Sequence, residues 1–244
     1  MVFTPDDLRM VKDSAEKRRA AVDGVGDQLS RAYRSLRGEY ERTLRQRNAV
    51  LKNTPTETEL LGVLTERLTV TGQAFSGHRK RLFGRISSRA KEVFGELVPN
   101  ETMDVAYESS WTKEGIEEES TTALGEALLI TSQEERARRT TIMGPHRDEI
   151  RFLLDGKDAR VYASQGQQRT IALAWKLAEV STMTEVGGQP PILLLDDVMS
   201  ELDENRRGAL AARVGEAAQT FLTTTNLGYF EPEMVERAHI VRLG

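Results

Sequence analysis

At 244 residues the chain has room for one or two domains and a sizeable core. Its formal net charge of −4 excludes a uniformly basic nucleic-acid binder, so any contact with a phosphate backbone has to come from local patches. The absence of cysteine excludes disulfides and thiolate metal sites, and no stretch approaches the roughly 18 consecutive apolar residues of a membrane span. The opening Met1-Val2-Phe3-Thr4-Pro5-Asp6-Asp7 is acidic and leads into no apolar run, unlike a signal peptide, so the expectation is a cytoplasmic chain with no membrane partner.

Thr4-Pro5-Asp6-Asp7 has a capping hydroxyl, proline at the first helical position and acids in the first turn, which predicts a helix start. A second helix is expected after Ser14 until Gly24 and Gly26 interrupt it, and a third from about Ser30 to Lys52 with Ala32, Leu36, Tyr40, Leu44 and Leu51 on one face. Thr54-Pro55-Thr56 breaks that helix. From Glu57 to Leu97 the residues Leu61, Leu68, Phe75 and Leu82 recur every seven positions, and Ile86 and Val93 repeat the spacing after a shift of four. With Gly72, Gly77 and Gly84 in between, this predicts two antiparallel helices forming a short arm. At Met103 the period changes to two: Met103, Val105 and Tyr107 predict a strand. Glu117-Glu118-Glu119 is expected to be a solvated loop rather than a metal site. A helix from Thr121 to Arg139 follows. Ile150, Phe152 and Leu154 then alternate toward an Asp155-Gly156 hairpin turn, with Val161 on the returning strand.

The densest information lies between residues 163 and 203. Ser164 can cap a helix while Gln167, three residues on, reaches back to the cap amide. Such a start points free N–H groups and a partial positive charge outward, suited to a phosphate. Past Pro190-Pro191, the run Ile192 to Leu195 predicts a central parallel strand buried on both faces, ending in Asp196-Asp197. Ligands of open α/β sheets bind beyond the carboxyl ends of strands, where those two acids fall. Glu204 to Ala218 predicts a helix, and Phe221 to Thr225 and His239 to Leu243 predict strands. The expected domains are a helical arm at 1–100, a connecting region at 101–139 and an α/β lobe at 140–244.

Several of these residues carry a family resemblance. Ser164-Gln165-Gly166-Gln167-Gln168 resembles the signature motif of ABC-type ATPases, Leu193-Leu194-Leu195-Asp196-Asp197 a Walker B strand, and Ser200-Glu201-Leu202-Asp203 the D-loop. With Gly144-Pro145-His146-Arg147-Asp148, Thr223-Thr224-Thr225, the opening Val2 to Leu8 and Gln46-Arg47-Asn48, the chain resembles the RecF family of SMC-like repair ATPases over nearly its whole length. The resemblance implies the carboxy-terminal lobe of an ABC/SMC-type P-loop ATPase head preceded by a mostly helical arm. It implies Asp196 as a magnesium ligand and Asp197 as the catalytic carboxylate, although the family more often has Glu at that place. It implies Ser164, Gln165, Gly166, Gln167 and Gln168 as contacts to ATP held by the opposite subunit of a homodimer, and Ser200 and Asp203 as D-loop residues. Thr225 and Asn226 stand where many ABC-type ATPases carry a switch histidine.

Two basic runs could meet DNA: Arg31, Arg34, Arg37, Arg42, Arg45, Arg47 and Lys52 on one helix, and Arg79, Lys80, Arg81, Arg85, Arg89 and Lys91 on another. The second run, as implied by RecF-type binding of duplex DNA at single-strand gaps, is the expected DNA contact. Loading of recombinase, recombination-mediator partners and support of the SOS response are further implications of the family. No Gly-x-x-x-x-Gly-Lys-Ser/Thr motif occurs in the sequence, and the family's phosphate-loop portion would precede Val2. Two readings follow: an ATP-dependent DNA repair protein whose phosphate loop lies upstream of this chain, or a non-catalytic remnant acting as an interaction module.

Overall fold

A computed structural model of the chain describes residues 1–53, 58–111, 123–214 and 219–242. In chain order the elements are β1 (Val2–Phe3), a 3-10 turn (Pro5–Arg9), α1 (Ala15–Leu29), α2 (Arg31–Asn53), α3 (Thr58–Leu97), β2 (Met103–Glu108), α4 (Ala123–Ile130) and α5 (Ser132–Arg138). A 3-10 turn (Pro145–Arg147) leads into β3 (Glu149–Leu154), β4 (Lys157–Asp158), α6 (Ala159–Tyr162), α7 (Gln165–Gly187) and β5 (Ile192–Asp196). A third 3-10 turn (Val198–Glu201), α8 (Glu204–Val214), β6 (Gln219–Thr223), a fourth 3-10 turn (Leu227–Tyr229) and α9 (Pro232–Arg237) complete it. Glu117-Glu118-Glu119 lies outside the described residues, as does the end of the helix expected to reach Ala218.

The chain divides into two compact units, neither continuous in sequence: residues 1–13, 86–104 and 152–244 form one, and 14–85 and 105–151 the other. The three-part linear partition expected from the sequence is therefore not the partition of the structure. The physical reason is a strand of two residues: Val2 and Phe3 pair in parallel with Leu194 and Leu195, which joins the chain's first residues to an element almost two hundred positions away.

In the first unit, a parallel three-stranded sheet has the order β1-β5-β6, with β5 central. Its register aligns Leu194 with Val2 on one side and Phe221 on the other. Leu193 and Leu195 are buried, but Ile192 and Leu194 are exposed, so β5 is covered on one face and not on both. The strand alternates because only one side of the described sheet meets a core. Helix α7 is buried nearly all round from Gln168 to Met183. Trp175 meets the Phe152 ring edge-on at 5.3 Å, and its indole N–H donates to Glu179 at 2.8 Å. Burial raises the Glu179 carboxyl above its ordinary range, and Lys176 opposes that shift. Lys176 also reaches Asp7 at 2.9 Å, so the charges of this buried helix are paired, as a dry interior requires.

In the second unit, α1, α2 and the first part of α3 bury Tyr33, Tyr40, Leu51, Leu68 and Phe75. Phe75 lies against both tyrosine rings, at 5.6 and 5.7 Å. Here several expectations are corrected. Helix α1 runs through Gly24 and Gly26, because at Gly26 the Tyr33 ring occupies the space a Cβ would need, 2.5 Å away. Helix α3 is one helix of 40 residues, not an antiparallel pair. Gly72 does not break it, since the Leu124 side chain packs onto the helix at that point. The heptad residues Leu61, Leu68, Phe75, Leu82, Ile86 and Val93 are all buried. The buried face of α2 is Tyr33, Tyr40, Thr43, Arg47, Val50 and Leu51, whereas Ala32 is exposed.

The expected helix at 121–139 is two helices, divided at Thr131, whose hydroxyl bonds back to Ala127 O. The turn at Asp155-Gly156 is as expected, both residues having positive φ (49° and 74°). The returning strand stops at Asp158, however, and Val161 sits exposed in α6. Thr4-Pro5 begins a 3-10 turn in which Asp7 accepts from the Thr4 amide at 2.8 Å. His239 to Arg242, expected as a strand, has no regular secondary structure.

Candidate functional site

The site begins with a helix cap. Ser164 has extended backbone angles, its Oγ accepts from the Gln167 amide at 3.3 Å, and Gln167 Oε1 accepts from the Ser164 amide at 2.8 Å. Gln167 is held at its other end too, where Nε2 donates to Glu101 at 3.0 Å. The exposed start of α7 is thus a turn pinned at both ends through Gln167. Gln168 is different: it is buried, and its side-chain amide donates to Ala159 O and Ala163 O. That corrects its expected place among the nucleotide contacts, because both amide hydrogens already hold the loop before α7.

At the carboxyl end of β5, parallel pairing sets Asp196 beside Thr223 of β6. The Thr223 hydroxyl donates to Asp196 Oδ1 at 2.7 Å and accepts from the Asp197 amide at 3.0 Å. Asp197 adopts a left-handed conformation, φ 48° and ψ 27°, which an aspartate tolerates better than most residues and which ends the strand abruptly. Ser200 Oγ donates to Asp197 O at 2.8 Å, closing the turn. Asp197 Oδ1 is buried with no hydrogen-bond partner among the described residues. The expected pair of carboxylates and Ser200 therefore share one turn, with Thr223 as the pin. In the sequence Thr223 stands out only as part of Thr223-Thr224-Thr225, and the alignment of two strand ends is what gives it this place.

The turn is tied to the start of α7. Arg169 donates to Glu201 O at 3.1 Å and to Glu201 Oε2 at 2.7 Å, and Arg206 donates to Thr170 Oγ1 at 2.7 Å. Asp203 caps α8, accepting from the Arg206 amide at 3.0 Å, and its carboxylate also pairs with the Arg206 guanidinium. The sequence carries no local signal for the pairing of Arg169, Glu201 and Arg206, because it depends on how α7 and α8 approach. Asn226 Oδ1 accepts from the Gly228 amide at 2.8 Å, and Thr224 Oγ1 donates to Asn226 O at 3.1 Å. Thr225, its neighbour, is exposed.

Among the described residues no group of three or more His, Asp or Glu side chains could hold a metal ion. A single carboxylate at this strand end still suits magnesium, which takes hard oxygens and keeps much of its water when held by one or two protein groups. The exposed Asp196 carboxylate, with one oxygen bonded to Thr223, is a donor of that kind.

In the second unit the basic residues separate into two sets. Arg79, expected to contact DNA, is buried at 3% exposure. Its guanidinium makes two bonds to Asp23 at 2.8 Å each and one to Pro145 O at 2.7 Å, over the Phe75 ring. It is not a surface cation, and the physical reason is position: it shares the face of α3 that carries Phe75. Lys80 lies over the rings of Tyr107 and Trp111 at 5.7 and 5.6 Å. Arg81, Arg85 and Arg89 are exposed, Arg89 pairing with Glu92. Arg47 is buried against Glu135 at 2.6 Å, and Arg37 pairs with Asp27 and Glu41. His146 is half-buried: its Nδ1 meets the Tyr40 hydroxyl at 2.6 Å and its Nε2 lies 3.2 Å from Thr141 O. Burial holds its pKa down to about 4, so it is a neutral ring filling a polar niche.

No family model matches the chain. Individual proteins do. The chain is 40% identical over 253 residues to the DNA replication and repair protein RecF of Heliobacterium modesticaldum, covering all of this chain and 67% of that protein. It is 38% identical over 249 residues to RecF of Lactobacillus delbrueckii, covering 98% of this chain and 65% of that one. It thus spans about two thirds of the length of these relatives. A solved structure of the recombination mediator protein RecF with ATPrS, from the RecFOR pathway, superposes with a TM-score of 0.84 at 33% identity, over 94% of this chain and 63% of that one. RecF with ATP gives 0.82 at 29% identity, over 93% and 62%. Likeness of this extent, over both compact units and the whole capped-helix and twin-carboxylate site, means that the chain belongs to the RecF family of DNA replication and repair proteins.

Proposed function

We propose that the chain provides the signature, metal-binding and D-loop part of a RecF-type ATPase that binds ATP and magnesium, pairs as a homodimer and acts on duplex or gapped DNA with recombination mediators, helping to load recombinase and supporting the SOS response. The observation that carries the reading is the shared turn of Asp196, Asp197, Thr223 and Ser200, linked through Arg169–Glu201 to the capped start of α7. The relatives' description as DNA replication and repair proteins and the nucleotide in two similar structures support it.

Magnesium-ATP, when bound, supplies the phosphoanhydride to be cleaved and the charge that stabilises its departing phosphate. Asp196 is the residue to hold the ion, and Thr223 fixes which of its oxygens remains free. Asp197 is the acceptor that orients water and takes up its proton, its backbone locked by Thr223 and Ser200. Ser164 presents its hydroxyl and Gly166 its backbone amide to the terminal phosphate of nucleotide on the partner copy, while Gln167 holds that turn in place. Arg81 and Arg85 of α3 face solvent and are available to a phosphate backbone.

No phosphate-loop motif occurs in these 244 residues, so the chain by itself is expected to hydrolyse no ATP. Joined to the amino-terminal portion of a RecF relative, it should acquire magnesium-dependent hydrolysis that Asp197→Asn abolishes. Turnover by the 244-residue chain alone, abolished by the same substitution, would overturn the proposed division of the site. Restored hydrolysis indifferent to Asp197→Asn would overturn the role of Asp197.

A further inference from the structure

The outer face of α2 carries the most continuous exposed charge in the second unit, and we infer that it is a docking surface for double-stranded nucleic acid. Arg31, Arg34, Arg42, Arg45 and Lys52 are all exposed, and with Gly38 and Ala49 they follow one another at steps of three or four residues. At 100° per residue these seven positions fall within an arc of about 80°, directly opposite buried Tyr40 and Arg47. From Arg31 to Lys52 the stripe runs about 32 Å at a rise of 1.5 Å per residue.

The two acids of α2 fall outside this arc. Glu39 lies about 100° and Glu41 about 60° from its midline by the same geometry, Glu41 bordering the edge that carries Arg34 and Lys52. Each is already paired, Glu39 with Arg67 and Glu41 with Arg37. Arg37 and Arg47, which the bare sequence groups with the others, are drawn off into ion pairs with Asp27 and Glu135. What remains is five cations in line, with Arg34 also donating to Asp27 O.

The chemistry of the stripe selects among polyanions. Four of the five cations are arginines, whose planar fork suits phosphate. Gly38 and Ala49 leave gaps in which a rod can approach closely. A membrane surface would require a large apolar stripe beside the basic one, whereas the exposed residues of α2 other than its cations are Ala32, Ser35, Gln46, Ala49 and Asn53. Single strands are gripped by exposed aromatics, and both tyrosines of α2 are buried. A straight row of charge matches the stiff duplex.

This inference rests on the DNA-binding part of the proposed function and moves its main contact from α3 to α2. The test is fluorescence anisotropy of a labelled duplex of about 30 base pairs with the 244-residue chain, titrated between about 50 and 200 mM salt. Five phosphate contacts give a slope of about −4.5 in log affinity against log salt, a loss of about 500-fold over that range. Arg42→Ala with Arg45→Ala should reduce the slope to about −2.7 and the loss to about 40-fold, with the circular dichroism spectrum unchanged. The paired control is Arg81→Ala with Arg85→Ala on α3. A slope altered by the α3 pair and untouched by the α2 pair would overturn the inference and leave the DNA-binding reading standing. No duplex binding by the unaltered chain would overturn both. Equal affinity for single strands, or for phosphatidylserine vesicles, would mark a general polyanion surface and overturn the assignment to duplex.

Discussion

Replacing Arg79 with methionine separates a buried structural cation from a DNA-contacting one. The guanidinium makes a two-pronged pair with Asp23 and a third bond to Pro145 O, and both partners of the pair are at most 4% exposed. Arg79→Met keeps most of the volume beside Phe75 but leaves Asp23 with the Tyr33 hydroxyl, at 2.6 Å, and Arg37 at 3.9 Å. Removing one partner of a buried pair costs about 3–5 kcal/mol, because the other charge stays buried and uncompensated. That is a large share of a domain stability of about 5–15 kcal/mol. Arg85, six residues further along the helix and exposed, should give a change within about 0.5 kcal/mol when made methionine. Urea unfolding followed by circular dichroism measures the difference. Hydrogen exchange should locate the loss in residues 14–85 and 105–151, the unit to which Arg79 belongs. A midpoint for Arg79→Met within about 1 kcal/mol of that for Arg85→Met would refute the reasoning, since the Asp23 pair would then be contributing no more than a surface contact.

His146 has a folded pKa of about 4, depressed chiefly by burial, against about 6.5 unfolded. Between those values the unfolded chain binds more protons, so stability is fully present above about pH 6.5 and falls by about 2–3 kcal/mol as the pH drops to 4. His146→Gln, compared with the unaltered chain by thermal melts across that window, should flatten the dependence. Two neighbouring glycines of α1 should respond oppositely to alanine: Gly24→Ala meets nothing within 4 Å and should stabilise by about 0.5–1 kcal/mol. Gly26→Ala drives a methyl into the Tyr33 ring and should destabilise by about 1–3 kcal/mol, both read from chemical denaturation. In a chain joined to a relative's amino-terminal portion, Ser164→Arg should block ATP-dependent association in sedimentation while nucleotide affinity stays within a few-fold. Its loss of the helix cap costs only about 1 kcal/mol. An equal fall in both would place Ser164 in the subunit's own nucleotide site.

The features legible in the sequence are those set by neighbours a few residues apart. Ser164 and Gln167 form their cap across three residues, Asp155-Gly156 turns the chain because both residues take positive φ, and Met103, Val105 and Tyr107 alternate because a pleat has period two. Asp196 and Asp197 could be placed at a strand end for the same reason, and the heptad residues of α3 could be assigned to a buried face. Tertiary structure alone decided which charges are free. Arg79 finds Asp23 across 56 positions and Arg47 finds Glu135 across 88, while Arg42, Arg81 and Arg85 point to solvent. Nothing in composition distinguishes these arginines; only the direction each residue faces once α1, α2 and α3 have packed does so. Tertiary packing likewise let α3 run through Gly72, where Leu124 occupies the space a side chain would fill. It brought Thr223 to Asp196, because parallel pairing aligns strand ends that the chain separates by 27 residues.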